Sequence, residues 1–298
     1  MKNDKRAVGA QSLQSLLKGV ITKIDERSEI SNGGVTGLTS GYMDLDQLTT
    51  GFQSGDFIIV AARPAMGKTT FALNISEHIA LSENKPVLFF SLGMQAPKIV
   101  DRILCSLSRI DNTKFRSGQL NEYERNSLST TIRIIIEQNM KITIDDTPRL
   151  TPSDLRDKAC SFAAKNNGIG LIVVDYLQLI SAPSFSNNRT SQVSEVSRSL
   201  KALAMELQCP LIALSQLNRG VEQRTDKRPI NTDLRDSGSL EDDSDLILFI
   251  YRDEVYNVNT KSKGVAEIIL SKHRNAPIGR VKLFFQGRYC RFDEYFEL

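Results

Sequence analysis

Apolar residues near the amino terminus of this chain recur every three or four positions. This spacing predicts an amphipathic helix that ends before the polar segment 28–34. The residues of the apolar stripe are Leu13, Leu16, Leu17, Val20, Ile21 and Ile24. Such a stripe needs a partner, which is either the same domain or a neighbouring subunit. We interpret residues 1–34 as a linker helix followed by a linker, suited to docking on another subunit.

From Phe57 onward, short apolar runs alternate with longer segments of helical spacing. The runs are rich in β-branched and aromatic residues and cover 57–62, 87–91, 141–144, 171–175 and 210–215. The segments between them predict helices at 69–80, 97–107, 122–138, 152–165 and 192–207. This alternation is typical of an α/β domain, in which helices flank a mostly parallel central sheet.

After Gln216 the pattern changes again. A polar stretch precedes four further apolar runs, at 246–251, 266–270, 281–285 and 289–292. Their close spacing predicts C-terminal strands joined by hairpins, which are antiparallel. No internal repeat or low-complexity tract interrupts the sequence, so we assign residues 35–298 to one α/β domain.

Composition and charge narrow the class of protein. Apolar residues make up 40% of the chain, which is enough for a packed core. The formal charge of +3 is too small to indicate a nucleic-acid partner, so any DNA site has to be argued locally. The cysteines have no paired spacing and favour reduced thiols over a zinc cluster; they are Cys105, Cys160, Cys209 and Cys290. Since no apolar leader or membrane-spanning run is evident, we expect a cytoplasmic protein without a membrane partner.

The segment 62–69 follows the first predicted strand and precedes a helix. A strand, a loop and a helix in this order are the context of a phosphate-binding P-loop, and only its first glycine is replaced, by Ala62. Gly67 allows the backbone to approach phosphates, Lys68 supplies a positive charge, and Thr69 can ligate Mg²⁺. We therefore predict that ATP and Mg²⁺ bind here. The predicted nucleotide-binding residues are Arg63, Pro64, Ala65, Met66, Gly67, Lys68, Thr69 and Thr70.

Two further polar residues end predicted strands. Asp175 follows four apolar residues of the kinds that are usually buried, and burying a carboxylate is costly without a cation. We therefore assign Asp175 to the coordination of Mg²⁺. The alternative is that Asp175 caps the next helix. Gln216 ends the run 210–215, where its amide could sense the terminal phosphate, although a glutamine at a strand end is also an ordinary surface residue.

Several stretches of the sequence resemble bacterial DnaB replicative helicases. They are 61–64, 67–70, 175–179, 197–204, 214–219 and 249–254. The resemblance covers the linker helix and nearly the whole domain, and it implies a RecA-like P-loop NTPase fold. It also implies an ATP-dependent DNA helicase that acts in replication as a hexamer, with ATP between subunits and single-stranded DNA through the centre. A helicase loader and primase are then expected partners, and the family's N-terminal helical domain has no counterpart in this sequence.

The resemblance also gives roles to residues that carry no signal of their own. Lys272 and Arg274 correspond to the pair that reaches a neighbouring subunit's phosphates, although without the family they would be ordinary residues near a strand end. Arg235, Asp236 and Gly238 correspond to the DNA-binding loop. Basic and acidic residues are nearly balanced around that loop, so a plain solvated loop is the alternative.

One position departs from the family pattern. The family has a glutamate after its second core strand, which activates the attacking water, whereas this sequence has Gly93. Loss of a general base typically lowers a rate by roughly 10²- to 10⁴-fold. We therefore expect a helicase domain with impaired hydrolysis; the alternative is a non-catalytic, ATP-binding ring component or regulator that binds DNA without unwinding it.

Overall fold

The linker helix forms, and its apolar stripe is exposed. The computed structural model describes residues 10, 12–29, 34–182, 188–234 and 238–296. Helix α1 spans Leu13–Glu29. The six stripe residues range in exposure from 45% for Leu17 to 74% for Leu13. The described part of the chain therefore does not bury the stripe.

One mixed sheet organises the rest of the described residues. Its nine strands are β1 Phe57–Ala62, β2 Val87–Ser91, β3 Ile142–Asp145, β4 Leu171–Asp175, β5 Leu211–Gln216, β6 Leu246–Tyr251, β7 Val265–His273, β8 Gly279–Gln286 and β9 Arg291–Glu294. Their order across the sheet is β3-β2-β4-β5-β1-β6-β7-β8-β9. The strands from β3 to β6 in this order pair in parallel, and β6 to β9 pair antiparallel. The predicted mostly parallel sheet with antiparallel C-terminal strands is confirmed.

Helices cover both faces of the parallel strands. They are α2 Met43–Thr49, α3 Lys68–Leu81, α4 Ala96–Ser108, α5 Asn112–Ser117, α6 Glu122–Glu137, α7 Pro152–Asn166, α8 Arg189–Leu207 and α9 Gly238–Asp243. On one face, Phe71 of α3 packs in the same core as Ile58 of β1. On the other face, Leu200 of α8 packs in the same core as Ile59. Both faces are buried, which explains why the strands read as continuous apolar runs rather than as alternating patterns.

The sequence prediction is wrong at one strand near the carboxyl terminus. The predicted strand 289–292 begins two residues later, because Gly287–Tyr289 forms a 3₁₀ turn and Cys290 has a φ of 51°. The short helices α2, α5 and α9 were not predicted, since six or seven residues give little periodicity.

Among the described residues, we find no helix that combines the length and the apolar content of a membrane span.

Four adjacent parallel strands end along one edge of the sheet. Because β2, β4, β5 and β1 are neighbours and run in the same direction, their carboxyl ends lie side by side. The residues at these ends are Ser91, Asp175, Gln216 and Ala62. In open α/β sheets, ligands bind in the crevice outside the carboxyl ends of the strands.

Candidate nucleotide-binding site

The loop between β1 and α3 has the backbone geometry that a P-loop requires. Gly67 has a φ of 104°, a conformation that L side chains rarely adopt. A Cβ atom at this position would also lie 2.8 Å from Cζ of Phe292. Lys68 begins α3, and its Nζ atom donates hydrogen bonds to the carbonyl oxygens of Ala62, at 3.0 Å, and Arg63, at 3.3 Å. The Lys68 ammonium group thus lies over the P-loop, at the amino-terminal end of α3. The free backbone amides at this end of a helix favour anions.

A buried carboxylate lies next to this loop. Thr69 Oγ1 donates a hydrogen bond of 2.6 Å to Oδ2 of Asp175. Burial raises the pKa of Asp175, against the lowering effects of the Thr69 hydrogen bond and of the charges on Lys68 and Arg102. Burial lowers the pKa of Lys68 to about 8, although Asp175 acts in the opposite direction. These groups fit Mg²⁺, because a hard cation beside oxygen ligands would offset the cost of burying the carboxylate.

A cavity of about 330 Å³ opens in front of the loop. This volume lies in the range of small-ligand pockets. Its lining includes Lys68, Thr69, Arg102, Asn112 and Phe285. Arg102, on α4, is half-buried and makes no hydrogen bond or ion pair with the described residues, yet its charge lowers the pKa of Asp175. An unpaired guanidinium beside a phosphate-binding loop is suited to a phosphate oxygen.

The side chain of Arg63, one of the predicted nucleotide-binding residues, is engaged by other residues of the protein. Its guanidinium is buried and donates to the carbonyl oxygen of Leu217, at 2.9 Å, and to Glu222, at 2.8 Å. The Met66 side chain is buried in the core, whereas Pro64 is exposed. Arg63 therefore links the loop to the segment that follows β5.

Gln216 and position 93 border the same edge of the sheet. Gln216 pairs in register with Ala62, the first residue of the loop. Gly93 follows β2, where the amide of Leu92 donates to the carbonyl oxygen of Asp175 at 2.8 Å. A Cβ atom at Gly93 would meet Cδ1 of Leu179 at 3.4 Å. Position 93 is exposed and has room for a larger side chain beside the strand that carries Asp175.

The structure does not bring Lys272 and Arg274 to this site. The carboxyl end of β7 lies beside the start of β6, which is level with the start of β1. Arg274 is exposed there and pairs with Asp245 at 3.1 Å. The Lys272 ammonium donates to the carbonyl oxygen of Ser244 at 2.7 Å and to that of Glu241. Both residues therefore lie at the opposite edge of the sheet from the P-loop.

The predicted DNA-binding loop is described only at its two ends. Arg235 and Asp236 lie outside the described residues, and Gly238 begins α9. Leu234, just before the gap, forms a β-bridge with Leu217, directly after Gln216. The loop therefore starts beside the strand end that borders the P-loop.

The parallel sheet, the glycine-lysine-threonine turn and the carboxylate beside it define a P-loop NTPase with a RecA-like fold. Residues 37–294 match the model of the DnaB-like helicase C-terminal domain. The chain belongs to this family.

Individual relatives agree with the family match. The chain is 55% identical to the replicative DNA helicase DnaB of Haemophilus influenzae and 52% identical to that of Buchnera aphidicola, over 97% and 99% of its own length. It spans only 62% and 64% of those two proteins. One solved structure, of an isolated ATPase domain, superposes with a TM-score of 0.90 at 36% identity, covering 96% of this chain and 100% of that domain. A DnaB-like replicative helicase, described with its interactions with primase, gives a TM-score of 0.87 at 36% identity, covering 96% of this chain and 68% of that protein.

Proposed function

We propose that this chain is the motor domain of an ATP-dependent replicative DNA helicase. The observation that carries the proposal is the contact between Thr69 and the buried Asp175, directly beside Lys68 and the cavity of about 330 Å³. In this proposal, Lys68 and Arg102 bind phosphate oxygens, while Thr69 and Asp175 hold Mg²⁺. The bound cation would offset negative charge on the phosphates.

A neighbouring copy of the chain would complete the site. Lys272 and Arg274 lie at the opposite edge of the sheet from their own P-loop, so they do not contact a nucleotide bound there. Arg274 is exposed and is therefore free to contact another subunit. A guanidinium supplied in trans stabilises charge that develops during phosphoryl transfer. We propose a hexameric ring in which Arg274 and Lys272 act on the neighbour's nucleotide. Lys272 would have to leave the carbonyl groups that it now contacts.

In this proposal, the segment after β5 couples nucleotide binding at the P-loop to the loop that binds DNA. Gln216 borders the P-loop, and Leu217 connects directly to the start of the loop that contains Arg235, Asp236 and Gly238. Arg63 adds a second link, since it joins the P-loop to Leu217 and Glu222. We propose that this loop holds the backbone of single-stranded DNA, with little base preference and a marked salt dependence.

Gly93 supports a second candidate function for this particular sequence. It provides no proton acceptor, and we propose that MgATP binds while hydrolysis is slow. A chain of this kind could serve as a non-catalytic ring component or regulator. The two candidates share the nucleotide site and the DNA loop, and they differ only in turnover and unwinding.

The remaining partners follow from the family. We propose that the exposed stripe of α1 docks on a neighbouring subunit and that a helicase loader and primase bind the assembled ring in the cytoplasm. The solved DnaB-like helicase that was described with primase supports the primase assignment.

A paired experiment tests the proposal. MgATP is titrated into the unchanged chain and into the Lys68→Ala variant, and each is then assayed on forked DNA. We expect MgATP binding to the unchanged chain and its loss in Lys68→Ala, because the point charge at the phosphates is removed. Tight MgATP binding by Lys68→Ala would refute the proposed site. Unwinding by the unchanged chain would favour the motor, and binding without unwinding would favour the regulator.

A further inference from the structure

A second polar cavity lies beside the carboxyl-terminal half of α3. Its volume is about 160 Å³, and it shares no lining residue with the cavity at the P-loop. Two residues of its lining, Tyr42 and Glu77, are only 5% and 3% exposed. The Tyr42 hydroxyl and the Glu77 Oε1 atom have no hydrogen-bond partner among the described residues. Buried polar atoms are rarely left unpaired, so this cavity should hold something polar.

The two oxygen atoms of Glu77 have different surroundings. Oε2 accepts hydrogen bonds from Ser106 Oγ at 2.7 Å, Arg291 Nη1 at 3.3 Å and Asn74 Nδ2 at 3.4 Å. Because donors surround Oε2, a proton on this carboxyl group belongs on Oε1. Burial raises the pKa of Glu77 to about 8, so the group is protonated at neutral pH. Oε1 is then a donor without an acceptor.

Two other groups beside the cavity are also donors. Burial holds the pKa of Tyr42 well above its ordinary value, so its hydroxyl keeps its proton. Arg291 donates from Nε to Asp293 and from Nη1 to Glu77 and Ser106, but its Nη2 atom makes no hydrogen bond with the described residues. Asp293 is already engaged by Arg109, Arg291 and Gln286. Three residues of the cavity lining thus each carry a donor that has no acceptor among the described residues, and one of them is a cation.

We propose that this cavity is a binding site for a small oxyanion, a phosphate or carboxylate group, held by Tyr42, Glu77 and Arg291. An oxyanion presents several acceptor oxygens and a negative charge, which match three donors and a guanidinium. The volume of about 160 Å³ holds several atoms but is below the usual range for a drug-sized ligand, so a whole nucleotide is not expected.

Binding should depend on pH, because only neutral Glu77 donates from Oε1. As the pH rises through about 8, the donor is replaced by a negative charge that repels an anion. Other ionisable groups lie around Glu77 on each neighbouring element. They are Arg291 and Asp293 on β9, Cys290 directly before it, Arg109 directly after α4, His78 on α3, and Tyr42 before α2. Of these, Arg291 and Arg109 favour the ionised form of Glu77 and burial opposes them, leaving the pKa raised.

The test uses acetate and inorganic phosphate as probes, each titrated calorimetrically into the full chain. All titrations use the Lys68→Ala background, so that the P-loop does not contribute phosphate binding. Tyr42→Phe should weaken anion binding about tenfold, since one direct donor is lost. Tyr123→Phe, which removes an exposed hydroxyl from α6, is the matched control and should change nothing. Thermal unfolding checks that each variant remains folded.

Glu77→Gln separates a binding role from a purely structural one. Glutamine can keep a donor at the Oε1 position but cannot ionise. Acetate keeps the same charge between pH 7 and pH 9, so its affinity should fall over that range in the parent and stay constant in Glu77→Gln. Binding of phosphate alone or of acetate alone supports the site and identifies the group that it accepts. Absence of binding, or binding that neither Tyr42→Phe nor Glu77→Gln alters, overturns the proposal, as does a crystal soaked in selenate that holds only water here.

Discussion

Position 93 follows the end of β2 by two residues, at the edge where β2 and β4 end side by side. A glycine there has no side chain that could accept a proton from water. A Cβ atom at this position would meet only the flexible end of Leu179 at 3.4 Å and the ring of Tyr176 at 3.6 Å. A larger residue should therefore fit without moving the backbone.

We expect Gly93→Glu to raise DNA-stimulated ATPase activity at least tenfold, a bound set below the roughly 10²- to 10⁴-fold that general bases typically contribute. Gly93→Gln has nearly the same shape but cannot act as a base, so its rate should stay near that of the unchanged chain. Steady-state phosphate release measures both variants. Equal rates for Gly93→Glu and the unchanged chain would show that another group supplies the base.

The perturbed pKa of Lys68 should make MgATP binding depend on pH. Without nucleotide, burial lowers this pKa to about 8, so the side chain loses its proton as the pH rises through that value. Binding of MgATP requires the charged form, and we expect affinity to fall by up to about tenfold per pH unit above pH 8. Lys68→Arg remains charged, so its affinity, although weaker, should vary less. Calorimetric titrations at pH 7, 8 and 9 measure the MgATP affinity of both proteins. The same pH dependence in both would contradict the prediction.

Some residues at the site could be predicted from the sequence and others could not. The P-loop residues and Asp175 could be predicted because a strand, a loop and a helix of recognisable composition surround them. Arg102 could not, since it occupies one position of an amphipathic helix and is marked only by the absence of a partner among the described residues. The orientation of Arg63 was also hidden, because its partners lie more than 150 positions away in the chain.

At the scale of elements, burial explains which predictions succeeded. Strands β1, β2 and β4 have the predicted bounds because each is a continuous apolar run buried on both faces. Strand β9 was misplaced because Tyr289 and Cys290 are apolar but belong to a turn. Apolar character alone does not distinguish a strand from a turn that packs against the core, and the left-handed conformation of Cys290 carries no sequence signal.

Helix α1 provides a prediction of its own. Its stripe is exposed along six residues, and we expect it to bind another subunit. Leu17→Glu combined with Ile21→Glu places two charges in that contact and should weaken assembly about tenfold or more. Ser15→Glu adds one charge on the opposite side of the helix and should not. Light scattering over a range of concentrations gives the mass, and an unchanged mass for the double variant would remove the docking role.

At the scale of the whole molecule, the positions of Lys68 and Arg274 predict complementation between chains. In a Gly93→Glu background, Lys68→Ala and Arg274→Ala should each be inactive alone. Mixed in equal amounts, they should recover about one quarter of the ATPase rate, since random head-to-tail association unites an intact Lys68 with an intact Arg274 at that fraction of contacts. A chain with both substitutions, mixed with Lys68→Ala, is the control. No recovery in the first mixture would refute a shared site.

The separation of the P-loop and Arg274 at opposite edges of one sheet has a geometric consequence. In the proposed assembly, two different surfaces meet at every contact. A dimer would therefore bury only one of the two contact surfaces of each molecule and leave one surface exposed at either end. Addition of further copies repeats the same rotation, and the series closes only if those rotations sum to a full turn. A substitution that alters the angle at one contact by a few degrees would thus convert a closed assembly into an open spiral, without touching any residue that binds nucleotide.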